Sequence, residues 1–313
     1  MIGSTRLGIA AADLGRLAVA ATCWGLGTVI SKAALAEFPP ITLLAVQLAA
    51  SLVVLVVLMR LRGIPLRGEG PPLLGRLGIL NPGIAYALSL LGLVTITASL
   101  SVLLWILEPL IILALAAWFL GERITVRFVG FSVAAVVGLA LVVYEPSMAI
   151  SQLVGVFLTV AGVVCCAVYS VVTRRFIPNA TETGQVVVAQ QAHALGFVLF
   201  AVLVVGLAGG MTRPVSATPT AIIAAIVSGT LYYAGAYWFY LGALRRVPVS
   251  LAATSYYLIP IVGVTAGALL LGERLEGPQW LGVIIVLVSV VAAIGQPQTA
   301  DQGLRSSTSP VTR

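Results

Sequence analysis

The chain has 313 residues, of which 60% are hydrophobic and only 9% charged, and it carries a formal net charge of +7; its mean hydropathy is +1.12. This composition lies outside the soluble globular range. It also excludes a nucleic-acid-binding module, because the Lys and Arg residues sit between apolar runs instead of clustering on a polar face. A helix needs roughly 20 apolar residues to cross a bilayer, so the length leaves room for about ten spans with short loops.

The N-terminal tail carries Arg6, Asp13 and Arg16, and the first apolar run extends from about Leu17 to Leu35. A signal peptide is the competing explanation. Against it, the run contains Trp24 and ends at Ser31-Lys32, which has a counterpart in Thr173-Arg174 of the sixth run. The second run covers about Ile41 to Met59, followed by a basic Pro/Gly-rich loop with Arg60, Arg62, Arg67 and Arg76. Leu77 to Leu120 is a single apolar block, too long for one span. Further spans are expected over about Val126 to Val143, Leu153 to Val172, Gln185 to Leu207, Ala221 to Leu244, Ser250 to Leu271 and Pro278 to Ile294. The tail after Gln296 is polar and expected to be disordered. Cys23, Cys165 and Cys166 fall inside apolar runs without metal-like partners and read as small core hydrophobes.

An internal repeat resolves the long block. Ala85 to Arg123 and Ala236 to Arg274 align without a gap, with thirteen of 39 positions identical. The matches include Tyr86 with Tyr237, Ser99 with Ser250, Pro109 with Pro260, and Gly121-Glu122-Arg123 with Gly272-Glu273-Arg274. Around Thr95 to Ala98 the second copy has Arg245-Arg246-Val247-Pro248, where two charges and a Pro require a loop, so the block must turn there as well. Residues 1–147 and 148–295 are then two five-helix repeats, and 296–313 a cytoplasmic tail.

Five spans per copy force the second copy to enter from the opposite side, which makes an inverted repeat. With the N-terminus cytoplasmic, the inner segments collect Arg6, Arg16, Arg60, Arg62, Arg67, Arg76, Arg123, Arg127, Arg174, Arg175, Arg245, Arg246, Arg305 and Arg313. The outer segments receive only Lys32, Arg213 and Arg274. This asymmetry is the one expected for ten spans with both termini inside.

The paired segments Leu107-Glu108-Pro109 through Gly121-Glu122-Arg123 and Leu258-Ile259-Pro260 through Gly272-Glu273-Arg274, with Trp24-Gly25 in the first helix, resemble the drug/metabolite transporter superfamily and its ten-helix EamA-type members. The resemblance covers nearly the whole chain. It implies an all-α membrane protein with a central cavity lined by helices 1 to 4 and 6 to 9, carrying small organic solutes by alternating access. It implies no particular solute.

The candidate substrate-binding residues are Trp24, Gln47, Tyr86, Trp105, Glu108, Gln190, His193, Tyr237, Ser255 and Tyr256. Glu108 is the acidic residue well inside an apolar span, and Ile259 occupies its place in the second copy. An ion there costs roughly 2.5 to 3.5 kcal/mol on insertion scales, so it should face a wet cavity, be protonated or meet a donor. Solute or proton contact and a helix-packing hydrogen bond are its two uses. Trp105 lies one turn before Glu108, with Tyr256 as its repeat mate. Gln47, Gln190 and His193 need partners within the bundle; for His193 helix packing competes with proton shuttling. Pro109 and Pro260 each remove a helical hydrogen bond and serve as hinges or passive kinks. Gly121, Glu122 and Arg123, like Gly272, Glu273 and Arg274, are expected to be helix caps.

No catalytic group, metal ligand set or phosphate-binding loop stands out, so no enzyme activity and no cofactor is expected. The function expected is a secondary transporter, an exporter of a small amino acid-like or aromatic metabolite in a bacterial or archaeal cytoplasmic membrane. A non-transporting scaffold or channel is the alternative, with a polytopic membrane enzyme behind it. The expected partners are the solute and the lipid bilayer, without nucleic acid; proton coupling through Glu108 and homo-oligomer formation stay open.

Overall fold

The structure, a computed structural model, describes residues 11–66, 72–120, 126–143, 149–176, 183–210, 218–244 and 255–294. Among these residues every regular element is helical. In chain order they are α1 (Ala11–Ala34), α2 (Pro40–Leu61), α3 (Pro72–Leu93), α4 (Ala98–Phe119), α5 (Val126–Val143), α6 (Ile150–Phe176), α7 (Thr183–Leu207), α8 (Pro219–Ala243), α9 (Ser255–Leu271) and α10 (Gly277–Ile294). Seven of them, α1 to α4 and α6 to α8, are long and apolar enough to cross a membrane. The apolar cores of α5, α9 and α10 are shorter.

Local sequence sets the ends. The 77–120 block breaks over residues 94–97, where Thr97 caps α4 by accepting from the Leu100 amide at 3.1 Å. Thr218 caps α8 the same way, accepting from the Ala221 amide at 3.3 Å with Pro219 just inside the helix. The helix α9 stops at Gly272, whose φ of +68° is the left-handed conformation that glycine adopts without penalty.

Two helices contain breaks at equivalent places. The α4 helix pauses at Ile106 and Leu107, where the amides bond three residues back, to Leu103 and Leu104, and it restarts at Glu108. The described part of α9 begins with a tight turn at Ser255–Tyr257 and then runs Leu258–Leu271. Pro109 and Pro260 therefore sit in the first turn after the break, where a missing N–H is tolerated. The sequence placed both prolines inside continuous helices; the structure puts them at the start of a segment. Four residues before each proline stands an aromatic residue, Trp105 or Tyr256, whose carbonyl has no helical N–H to accept from.

Packing is exchanged between the first five helices and the last five. The α1 helix lies against α8 and α9, while α6 lies against α3 and α4; α2 packs on α7 and α8, and α5 on α10. Glycines make the closest approaches. A Cβ on Gly229 would collide with the backbone of Gln47, and one on Gly78 with the backbone of Gln190. Gly78 and Gly229 are separated by the same offset as Tyr86 and Tyr237, so one contact is made twice, α3 on α7 and α8 on α2. In the α5·α10 pair, Gly138 and Gly282 each face the other's carbonyl, as expected of a contact lying on a twofold axis.

One end of the bundle is tied by polar bonds. Lys32 Nζ donates to the carbonyls of Leu93 at 2.8 Å and Val94 at 3.1 Å. Thr218 Oγ1 donates to Glu37 at 2.7 Å, and Gln279 Nε2 donates to the Val142 carbonyl at 3.2 Å. Glu273 accepts from the amides of Ala98 at 2.7 Å and Ser99 at 2.9 Å and from the Ser99 hydroxyl at 2.6 Å. It thus satisfies orphan donors at the N-terminus of a helix from the other repeat copy. These bonds join the C-terminal ends of α1, α3, α5 and α9 to the N-terminal ends of α4, α8 and α10, so the helices alternate in direction. Arg274, beside Glu273, is exposed, and Gly121, Glu122 and Arg123 lie outside the described residues.

Replacing Glu273 with Ala should lower the stability of the purified protein by about 1–3 kcal/mol, the range for charged hydrogen bonds left unmade. Replacing the exposed Glu276 with Ala should change it by less than about 0.5 kcal/mol. Unfolding in detergent monitored by far-UV circular dichroism measures both.

Candidate functional site

Eight aromatic side chains meet in the interior between the exchanged helices, three of them buried and five partly exposed. On one side Trp24 of α1 meets Tyr237 and Tyr240 of α8 edge-on, with ring centroids 5.7 and 5.5 Å away, and Tyr256 of α9 at 5.4 Å. Tyr240 and Tyr256 are themselves 5.2 Å apart. On the other side Tyr86 of α3 stacks on Trp105 of α4 at 5.2 Å with a 16° tilt. Tyr232 and Tyr233 of α8 meet the edge of Tyr86 at 5.2 and 5.1 Å. Such edge and offset pairs contribute about 0.5–1.5 kcal/mol each beyond area burial. The Trp105 indole donates to Ser89 Oγ at 3.1 Å.

Glu108 lies one turn beyond Trp105. Its Oε1 accepts from the Cys166 thiol of α6 at 3.1 Å. It is within electrostatic range of the Tyr169, Tyr232, Tyr237, Tyr240 and Tyr256 hydroxyls. All of these residues belong to the inner faces of packed helices, yet Trp105, Glu108, Tyr169, Tyr232, Tyr237, Tyr240 and Tyr256 keep accessible surface. The partly accessible side chains of α4, α6, α8 and α9, with the buried Trp24 of α1 and Tyr86 of α3 packed against them, outline the candidate cleft.

The other candidates divide. Gln190 is at the edge of this cluster, accepting from the Tyr169 hydroxyl at 2.8 Å and donating to the Leu74 carbonyl at 3.0 Å. Ser255 is buried in the tight turn of α9, next to Tyr256. Gln47 is 0% exposed, and its Nε2 donates to Ser31 Oγ and Ser228 Oγ, both at 2.8 Å. This pins α2 between α1 and α8 and keeps its amide out of the cleft. His193 is exposed and holds the Ala189 carbonyl of its own helix at 2.8 Å, on the side that covers Gly75. It therefore faces away from the cluster.

Sequence reasoning passed over Cys166, Tyr169, Tyr240 and Ser89. A signal was present for three of them. The offset that pairs Ser31-Lys32 with Thr173-Arg174 also pairs Trp24 with Cys166, and the offset of the long repeat pairs Ser89 with Tyr240. The cleft is therefore built from matched positions, four of them holding different chemistry: Trp24 against Cys166, Tyr240 against Ser89, Tyr256 against Trp105 and Ile259 against Glu108, with Tyr86 and Tyr237 the pair that is kept. A second buried network was also missed, in which Ser51 Oγ donates to Gln191 Oε1 at 2.7 Å and Gln191 Nε2 donates to the Tyr233 carbonyl at 2.8 Å.

The model of the EamA-like transporter family matches residues 15–144 and again 153–295. The chain belongs to this family. It is accordingly a multi-pass membrane protein of the drug/metabolite transporter superfamily, a membrane transporter. A protein of Archaeoglobus fulgidus (strain ATCC 49558 / DSM 4304 / JCM 9628 / NBRC 100126 / VC-16) described as an uncharacterized transporter is 25% identical over 278 residues, covering 89% of this chain and 97% of its own. A solved crystal structure shares the fold with a TM-score of 0.63 at 19% identity, over 91% of this chain and 99% of that one. In this EamA-like fold the Gln47 network and the aromatic cleft are separate structures. Gln47→Leu, which removes both bonds from Nε2 while the serine hydroxyls keep their own bonds to the Gly27 and Ala225 carbonyls, should lower unfolding stability by about 1–3 kcal/mol. Thermal unfolding of the purified protein measures this.

Proposed function

We propose that the chain is a ten-span secondary transporter that moves a small organic metabolite, amino acid-like or aromatic, by alternating access around the cleft at Glu108. All of α1 to α10 cross the membrane in this account, as two inverted five-helix repeats, 1–147 and 148–295, with both termini cytoplasmic. Support for the topology comes from the two ends of the bundle. Lys32 and Arg274 mark the end tied by Glu273, and Arg16, Arg60, Arg62, Arg76 and Arg127 mark the other. Basic residues concentrate on the cytoplasmic side, so the Glu273 end faces out.

The observation that carries the function is Glu108, an acidic side chain inside the bundle that stays partly exposed and is met by a thiol. An intramembrane carboxyl in a cleft marks a solute or ion path. Stacked and edge-on rings around it suit a flat apolar solute. In this proposal Glu108 takes up a proton, or contacts the solute, in one of two access states. The Glu273 bonds to Ala98 and Ser99 close the outer end in the state seen here, and the breaks before Pro109 and Pro260 are the hinges.

Uptake by proteoliposomes with and without a pH gradient tests the role of Glu108: Glu108→Gln should abolish the acceleration by the gradient, and an unchanged rate and pH response would remove that role. Reporter fusions at Arg213 and Arg245 should report opposite sides of the membrane. The same side for both would contradict the inverted repeat.

A further inference from the structure

We infer that Lys32 and Glu273 form a two-armed clamp on the turn between α3 and α4, and that this clamp holds the outer end of the cleft shut; the inference rests on the transporter proposal above and names the device that controls access to its cleft. The first ground is which helices the arms join. In one wall of the cleft, α1 lies on α9 so closely that a Cβ on Gly25 would collide with the Ile259 carbonyl. In the other, α3 and the 94–97 turn lie on α6, where a Cβ on Gly155 would collide with Thr95 and the Gly92 carbonyl. Lys32 belongs to α1, and Glu273 follows the glycine that ends α9. Their described bonds all go to the facing ends of α3 and α4. Both arms therefore reach from one wall to the other. The bonds of Glu37 to Thr218, at the same end, join α1 to α8 and stay within the first wall.

The second ground is the match of charge to helix end. The Leu93 and Val94 carbonyls close α3, where a helix lacks N–H partners and carries partial negative charge, and the Lys32 ammonium donates to them at 2.8 and 3.1 Å. The Ala98 and Ser99 amides open α4, where partial positive charge gathers, and the Glu273 carboxylate accepts from them at 2.7 and 2.9 Å. An ammonium only donates and a carboxylate only accepts, so the two arms cannot trade places. Lys32 and Glu273 are within electrostatic range of each other, yet the ion pair found among the described residues is Arg16 with Asp13. Each arm thus acts on the backbone and not on the other arm.

The third ground is the packing under the clamp. Between α9 and α4, a Cβ on Gly263 would collide with Val102, and one on Gly267 with the Ser99 hydroxyl. The walls touch just inside the turn, so the clamp holds a contact that is already closed. The same two charges recur at the matched positions, Arg174 and Glu122, whose side chains lie outside the described residues. The pair is kept where Glu108 and Ile259 have diverged.

The test is double electron–electron resonance on the full chain in lipid nanodiscs, with the native cysteines replaced by Ala and spin labels at Ala33 of α1 and Leu91 of α3, both exposed toward the outer end. The chain with both arms intact should show a short distance. Lys32→Met and Glu273→Gln should each raise the ratio of long- to short-distance populations about tenfold, the change expected when hydrogen bonds to a charged group are lost. Lys32→Arg, which keeps cationic donors, should stay short. The double exchange Lys32→Glu with Glu273→Lys should open the end at least as far as either single change, because each charge then meets a helix end of its own sign. Far-UV circular dichroism of every variant separates opening from unfolding. The inference is overturned if the double exchange restores the short distance, which is how an ion pair would behave, or if both single changes leave the distance unaltered. Opening in both single variants with no solute movement by the natural chain in proteoliposomes would contradict the transporter proposal and leave the clamp standing. Solute movement with the distance unaltered in both would do the reverse.

Discussion

The contact on which the rest of the structure depends is the near-touching of backbones at Gly78 with Gln190 and at Gly229 with Gln47. In a bilayer, lipid tails are as apolar as leucine side chains, so helices associate through close packing and internal hydrogen bonds instead of escape from water. Glycine allows the approach, and the glutamine amides at the same two points supply the bonds: Gln47 to Ser31 and Ser228, Gln190 to Leu74 and Tyr169. The contact occurs twice, each time between helices of different repeat copies, and at each one a glutamine amide donates across it, Gln47 to Ser228 and Gln190 to the Leu74 carbonyl. The exchange also carries α1 onto α8 and α9, and α6 onto α3 and α4. That placement brings Trp24 to Tyr237, Tyr240 and Tyr256, and Cys166 to Glu108.

Duplicated architecture and unmatched chemistry follow from different constraints. Packing positions recur because the same backbone contact must be made on both sides of the axis. Cleft positions differ because a solute without twofold symmetry gains nothing from two identical half-sites. Trp24, Tyr237, Tyr240 and Tyr256 fill the side contributed by α1, α8 and α9, while the carboxyl and thiol join the Tyr86–Trp105 stack on the side contributed by α3, α4 and α6. Both of the helices that break before a proline, α4 and α9, carry an aromatic cleft residue at the break. Movement at the breaks would shift Trp105 and Tyr256 directly.

Much of this was legible in the sequence, since a membrane chain has few polar residues and each must have a use. Composition indicated the bilayer, the repeat located the turn around Thr95 to Ala98, within one residue of the break at 94–97, and Glu108 stood out because its copy is Ile259. Trp105, Tyr86, Tyr237 and Tyr256 were legible for the same reason, as paired aromatics in apolar helices. What stayed hidden was which face of a helix each residue occupies after exchange. Gln47 and Gln190 occupy equivalent spans, yet one is locked between serines and the other borders the cleft. His193 was read as an interior group, but in helices that are apolar all round, periodicity does not mark the inner face. Cys166 looked like a small hydrophobe because its importance lies in its neighbour. The role of Glu273 in capping α4 was hidden for a similar reason: a cap motif was expected to serve its own helix, whereas its oxygens reach a helix of the other copy.

The central claim is that water reaches the interior between the two sets of helices, and it can be tested on a single helix. In a chain with Cys23, Cys165 and Cys166 replaced by Ala, Tyr256→Cys places a thiol in the cleft and Leu269→Cys places one on the outer face of α9, where Leu269 is 79% exposed to the surroundings of the bundle. The protein in proteoliposomes is treated with a water-soluble, membrane-impermeant methanethiosulfonate. The account predicts rapid modification at position 256 and little at 269, where lipid covers the thiol. Equal modification at both positions, or protection of 256 with reaction at 269, would contradict it.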